Sequence, residues 1–417
     1  AAQFTIGTWL HVPLQETMVW VNVVCGAMAM GVSYLLALEL FGSRRLALIT
    51  TAILALSGRV MNNATSSEIY MSQTLFVLLA FYLFVRARTI GAGVAAGCAL
   101  LISPLSAFAY LFFPVYDFQR AGRIRWATLA MLTAAAAVVY VPYLVVYGHE
   151  LFYGIRGLLV INDVVKPDPM TALANIPKYQ FKQYTFLLLL LPATLIAAPK
   201  HARFLVLAAA VAIPHLYIIF KLTGEDNVFI LNTDFFFAAT LALGWIELAN
   251  GTITRWVGPA LLAMHVAVLL VSGYLFSFQA HRQYDHELRD VATAYLVNHN
   301  AIMITDWGTA VALVYFGRPK ANSTILTEPL FQQIYDVEAP PDRNPDLGTA
   351  RDLYLLDRWK PSPLSQFFRT KQSIREQYQL HSVKLIAERT LHVSCTLMVE
   401  ATNKLYRCTL NPSLARP

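Results

Sequence analysis

LALSGRVMNNATSSEIYMSQTLFVLLAFYLFVRAR, residues 54–88, decides how this chain is to be read. One apolar run ends near Leu56. A short polar island follows, holding Arg59 and Glu68. A second apolar run then extends to Arg86 and Arg88, which close it. The same alternation of long apolar runs and brief polar breaks fills residues 1–280. The 417 residues are 57% apolar and only 14% charged, with a mean hydropathy of +0.50. A soluble domain is about 25% charged, so this chain cannot cover a water-facing surface over most of its length. The expectation is an all-α polytopic membrane domain at 1–280. Residues 281–417 carry charges in nearly every block of ten and read as a small soluble α/β domain.

A membrane-crossing helix needs about 20 apolar residues. The runs at 18–41, 45–62, 69–86, 126–147, 183–199, 203–221, 234–249 and 257–277 are the candidates, about eight spans. Residues 91–118, GAGVAAGCALLISPLSAFAYLFFPVYDF, are too short for two full spans and carry Pro104 near the middle, which breaks a single helix. Arginines flank this segment on both sides. The reading is a short V-shaped helical hairpin that enters and returns. Arg44, Arg45, Arg86, Arg88, Arg120, Arg123, Arg125, Lys200, Arg203 and Arg255 then fall on one side, which is expected to be the cytoplasm. The C-terminal domain is expected on the other. That placement also explains the net charge of +7 and pI near 9.1 without a nucleic-acid partner, since no Lys/Arg run resembles a nucleic-acid patch.

In the C-terminal part, 301–306, 323–326, 352–357 and 383–388 read as strands and 309–317 as a helix. Two β-rich runs flank Ala401–Lys404 and set Cys395 and Cys408 roughly opposite each other; a disulfide and two free thiols are both open. Cys25 and Cys98 lie in apolar runs as packing residues. No CxxC or Cys/His cluster specifies a metal. The chain begins Ala-Ala-Gln-Phe without Met, and residues upstream of Ala1 are expected in the native product.

Ionisable groups at the rims of spans are the candidate site residues. Glu68 stands at the mouth of the span that follows it, as a ligand group or a helix cap, and Arg59 is a candidate partner for it. Glu225, Asp226 and Asp234 flank NVFILNT, with a divalent metal, a sugar, solvent or, for Asp234, a helix N-cap as readings. Loop 148–182 carries Arg156, Lys166, Lys178 and Lys182, with Tyr153, Tyr179 and the adjoining Tyr184, a set that grips a lipid phosphate or anchors the membrane interface. His215 and His265, mid-span, read as hydrogen-bonded packing residues. The Asn63, Asn250 and Asn322 sequons are weak signals.

Residues 20–42 (WVNVVCGAMAMGVSYLLALELFG) and 54–88 together resemble the GT-C superfamily of polytopic glycosyltransferases, closest to the family of transmembrane protein O-mannosyltransferases and their bacterial relatives. The matching features are Asn22 in a span, Glu68-Ile69-Tyr70 at a helix mouth, and the Gly-rich, Pro-broken segment Gly91–Pro114. The resemblance covers roughly residues 4–118; beyond that it is architectural. It implies an integral protein of a bacterial inner membrane or its equivalent. It further implies a polyprenyl (or dolichyl) phosphate-linked sugar donor, a protein or glycan acceptor, and transfer on the extracytoplasmic face. Glu68, Arg59, Tyr70, Asp234 and Lys182 are the expected substrate contacts; a divalent metal at the leaving phosphate stays open. The key acidic residue of such enzymes, in the first outer loop, is expected upstream of Ala1. The alternative is a non-catalytic accessory subunit of a larger membrane complex built on the same scaffold. A secondary transporter is a weaker third reading, because the polar candidates cluster at one face.

Overall fold

The computed structural model describes residues 14–64, 70–165, 177, 180–181, 183–223, 231–252, 254–271, 288, 290–297, 301–305, 313, 324–327, 352–357, 382–390, 393–400 and 404–410. The chain divides into two compact units, Ala1–Leu269 and Leu270–Pro417.

The first unit is helical: α1 (Leu14–Phe41), α2 (Arg44–Ala55), α3 (Gly58–Ala64), α4 (Tyr70–Val85), α5 (Thr89–Ile102), a 3₁₀ segment (Pro104–Leu111) and α6 (Phe112–Ala121). Then come α7 (Trp126–Val165), a second 3₁₀ segment (Thr185–Leu190), α8 (Leu191–Thr223), α9 (Leu231–Ala249), a 3₁₀ turn (Thr254–Trp256) and α10 (Val257–Val271). Among the described residues, four helical stretches are long and apolar enough to cross a membrane: Thr17–Phe41, Trp126–Gly148, Thr185–Tyr217 and Thr254–Val271. The protein is an integral membrane protein. Val138 and Val145 on α7 and Leu195 on α8 are 76–80% exposed, as lipid-facing residues are.

The segment after α5 turns back, as Pro104 requires. Gln73 Nε2, near the start of α4, donates to Ser106 Oγ at 2.9 Å. Arg120 Nη1 then donates to the Val85 carbonyl, at the end of α4, at 3.0 Å. The chain between Ser106 and Arg120 therefore runs alongside α4 in the same sense, while α5 runs against it. Phe81 stacks on Phe112 with ring centroids 4.2 Å apart, and Phe113 closes on Phe84 at 5.0 Å, cementing the return arm. Such aromatic pairs add about 0.5–1.5 kcal/mol each beyond buried area.

α8 also reverses. His201 leaves the helical region (φ −120°, ψ 21°), two residues after Pro199. Before the break, Thr194 Oγ1 meets the Thr240 carbonyl at 3.0 Å and Lys200 meets Glu247 at 3.3 Å. After it, Phe204 lies near Phe236, and His215 sits edge-on to Phe108. The two arms thus pass α9 in opposite directions, in keeping with two spans flanking Lys200 and Arg203. The basic residues gather where these turns meet. Arg86 pairs with Glu39 at 2.8 Å, Gln119 donates to the Arg203 carbonyl at 2.9 Å, and Asp117 receives the Arg125 amide at 2.6 Å.

In the second unit, β1 (Ala301–Thr305), β2 (Thr324–Thr327), β3 (Asp352–Asp357), β4 (Val393–Glu400) and β5 (Lys404–Leu410) form a five-stranded sheet of order β2-β1-β3-β5-β4, and among the described residues α11 (Val383–Thr390) and a π-helical segment (Ala292–Val297) pack against it. β2, β1 and β3 are parallel; β5 runs against β3 and β4. Cys395 and Cys408 face each other in the β4–β5 register and form a disulfide. Residues 383–388, expected as a strand, are helix α11. Val383 and Ala387, four apart, are both buried on one face. Ser382 caps the helix toward Leu385 N at 3.4 Å while its hydroxyl donates to Asp357 at 2.6 Å. Of the expected 309–317 helix, only the helical residue Leu313 lies within the described residues.

Candidate functional site

The site is built on a helix break. α2 ends at Ala55, and α3 resumes at Gly58, so the Leu56 carbonyl has no helical donor. His265 on α10 supplies one: its Nε2 lies 2.9 Å from the Leu56 oxygen, and its Nδ1 lies 2.7 Å from Thr185 Oγ1. Two helix discontinuities, at Leu56–Ser57 and at Thr185, are thereby tied to one imidazole. His265 reads as packing in the structure as in the sequence.

Arg59 follows on the first turn of α3 and points inward. Its Nη1 donates to Asp234 Oδ1, and the two side chains are 1% and 0% exposed. Asp234 belongs to the first turn of α9, three residues after Leu231, and is a buried ion-pair partner rather than the N-cap its position allowed. The carboxylate of Arg59 in the described structure is thus Asp234, 175 residues away. Glu68, the partner proposed from sequence, lies outside the described residues, as do Lys178, Lys182, Glu225 and Asp226. Tyr70 is described: it opens α4 and packs partly buried against the core.

Neighbours frame the pair closely. Tyr184 is fully buried, donates to the Asp234 carbonyl at 3.3 Å, hydrogen-bonds Ser57 and stacks on Phe237 at 5.7 Å. A Cβ at Gly58 would stand 3.1 Å from Gln183 Oε1, so the helix carrying Gln180, Gln183 and Tyr184 presses on the start of α3. Asn63 donates to the Arg59 carbonyl at 2.8 Å and is 3% exposed, which removes its sequon from glycosylation.

The pair is incompletely satisfied. Arg59 Nε and Nη2, Asp234 Oδ2, and both side-chain polar atoms of Gln180 and of Asn232 are buried with no hydrogen-bond partner among the described residues. Each such atom costs about 1–3 kcal/mol when left unpaired. Nε and Nη2 form one edge of the guanidinium, the geometry that meets two oxygens of a phosphate or carboxylate at once. Gln180 and Asn232 were not singled out by sequence reasoning. Uncharged amides near span ends look like interface residues, and no linear signal marks them as unsatisfied. Asn232 sits two residues from Asp234 and so faces another side of α9, on the stripe of Phe236. Among the described residues, no group of three or more His, Cys, Asp or Glu side chains is placed to hold a metal ion.

No protein-family model and no curated protein matches the chain. Solved structures similar in fold include two of one protein. ArnT from Cupriavidus metallidurans bound to undecaprenyl phosphate superposes with a TM-score of 0.57 at 15% identity, covering 97% of this chain and 86% of that one. ArnT from the same organism in the apo state gives 0.57 at 15% identity, covering 96% and 84%. The chain has a GT-C-like fold.

Proposed function

We propose that this chain is a membrane glycosyltransferase that takes a sugar from a polyprenyl phosphate-linked donor and passes it to an acceptor on the extracytoplasmic face. The observation that carries the reading is the Nε/Nη2 edge of Arg59, without a partner among the described residues and buried in a fold shared with a protein crystallised with undecaprenyl phosphate. An anion-shaped set of donors inside a lipid-embedded bundle suits a phosphate that arrives from the bilayer, where water cannot compete for it.

In such a transfer the bond from the anomeric carbon to the phosphate oxygen breaks, and its electron pair leaves with the phosphate. A new bond forms to the acceptor hydroxyl, whose proton passes to a carboxylate. Arg59 holds the growing negative charge on the leaving phosphate. Glu68, Tyr70 and Lys182 are proposed as further donor contacts, on their sequence positions. The extracytoplasmic orientation is supported by the gathering of arginines at the opposite end of the bundle. The Cys395–Cys408 disulfide also supports it, because such bonds persist in oxidising compartments.

The test is binding of undecaprenyl phosphate to the purified chain in nanodiscs, for the native protein and Arg59→Lys. Lysine keeps a positive charge beside Asp234 but lacks the two-donor edge. The expectation is saturable binding that Arg59→Lys weakens at least tenfold. Equal binding by both proteins, or none by the native one, overturns the reading. Binding without transfer to any protein or glycan acceptor favours the accessory-subunit alternative.

A further inference from the structure

We infer that Asp234 and Gln180 read a hydroxyl of the sugar on the lipid-linked donor, so that one buried ion pair recognises both sides of the bond to be broken. The inference rests on the donor class proposed above and adds to it a residue that sets which sugar is accepted.

The chemistry of the unpaired atoms divides into two halves. Arg59 offers only donors, through Nε and Nη2. Asp234 Oδ2 offers only acceptance. A phosphate oxygen also only accepts, so Oδ2 repels a phosphate and calls for a group that donates. Within a phosphate-linked sugar, that group is a hydroxyl. Gln180 completes the pattern. Its amide both donates and accepts, as a hydroxyl does, and neither of its atoms has a partner among the described residues although the residue is 2% exposed.

Position supports the same division. Gln180 precedes Tyr184 by one helical turn and shares its face. Tyr184 reaches Asp234 directly. Gln183, between them in sequence, lies against Gly58 beside Arg59. Arg59 and Asp234 thus present donors and an acceptor side by side with no net charge between them, and Gln180 stands one helical turn from the tyrosine that touches Asp234. A site built for phosphate alone needs no acceptors. A site for a neutral polyol alone needs no guanidinium edge. The junction of the two needs both.

The variant that isolates the sugar contact is Gln180→Met, which keeps the side-chain length and removes the amide. The probes are undecaprenyl phosphate and undecaprenyl phosphate carrying one mannose or one glucose, each titrated against the full chain in nanodiscs. In the native protein at least one hexose is expected to tighten binding over the bare lipid phosphate. In Gln180→Met that gain falls by about tenfold, the worth of a buried hydrogen bond to a positioned polar group. Affinity for bare undecaprenyl phosphate stays unchanged, which also shows that the variant is folded. Gln180→Ala gives the same split. Equal losses for bare and glycosylated lipid overturn the inference while leaving the lipid-phosphate reading standing. So does an unchanged gain from the sugar, or the absence of any gain in the native protein, where the unpaired atoms hold water only. Failure of the native chain to bind even the bare lipid overturns both.

Discussion

His265 Nε2 lies 2.9 Å from the carbonyl oxygen of Leu56, the residue at which α2 stops and three positions before Arg59. The carbonyl is one that a continuous helix would satisfy internally. The imidazole replaces that bond from another helix and thereby holds the offset that turns Arg59 toward Asp234. His265→Ala leaves the carbonyl buried without its donor, at a cost of about 1–3 kcal/mol. It is expected to lower the melting temperature and to weaken undecaprenyl phosphate binding together. His265→Gln, which can donate to the same oxygen, should recover part of both. A loss of stability with binding unchanged would show that the break is held without this contact.

Arg59 and Asp234 separate stability from binding. Removing one member of a fully buried pair strands the other charge, which costs about 3–5 kcal/mol. Replacing both by apolar residues of similar volume removes the desolvation penalty as well. Arg59→Met and Asp234→Leu are each expected to be strongly destabilised, and the double variant is expected to melt close to the native protein. Lipid-phosphate binding should be lost in the double variant despite that recovery. The check is a double-mutant cycle of melting temperatures beside a binding isotherm. Additive destabilisation would mean that the two side chains do not act as a pair.

What the sequence disclosed, and what it hid, follows from the range of the interactions involved. The return at Ser103–Pro104 was legible because a proline and two arginine clusters are local signals with fixed physical meaning. The facing cysteines were legible as an open alternative because Cys395 and Cys408 flank one short turn. Arg59 and Asp234 were each recognisable as costly charges, yet their partnership spans 175 residues and depends on the break at Leu56, whose local signal is the single Ser57-Gly58 pair. Helix α11 was misread because Val383, Leu385 and Ala387 alternate with Lys384, Ile386 and Glu388. The deciding contact is Ser382 with Asp357, and that contact exists only once β3 is in place.

The Cys395–Cys408 disulfide closes a loop with a sequence separation of 13 on the edge hairpin β4–β5. Chain-entropy reasoning gives such a loop about 3 kcal/mol of stabilisation. Cys395→Ser with Cys408→Ser should therefore expose the C-terminal unit to limited proteolysis at lower urea than the native chain, with the helical unit's fragments unchanged. Free thiols at both positions in protein isolated from its membrane, detected by alkylation without reductant, would remove the argument for an oxidising side.

Glycines 93 and 97 make the sharpest packing prediction. They lie four apart on α5, on one face, and α7 runs directly over them. A Cβ at Gly93 would stand 2.4 Å from the Leu132 carbonyl oxygen and 2.6 Å from Ala135 Cβ. At Gly97 it would meet the Ala136 carbonyl at 2.7 Å and Val139 Cβ at 2.7 Å. Both obstacles include backbone, so neither can swing aside. In lipid, helices gain little from the hydrophobic effect between one another, and close backbone approach at small residues supplies much of their attachment. Gly97→Ala should destabilise by about 1–3 kcal/mol, and Gly93→Ala by at least as much, through forced separation of α5 from α7. Gly31, on α1, has nothing within 4 Å of its added Cβ. Gly31→Ala is therefore the matched control, expected to stabilise by up to about 1 kcal/mol through helix propensity alone. Thermal melts of the three variants in one detergent decide it: Gly93→Ala and Gly97→Ala below the native protein, Gly31→Ala at or above it. If all three shifted alike, the helix interface drawn between α5 and α7 would be wrong.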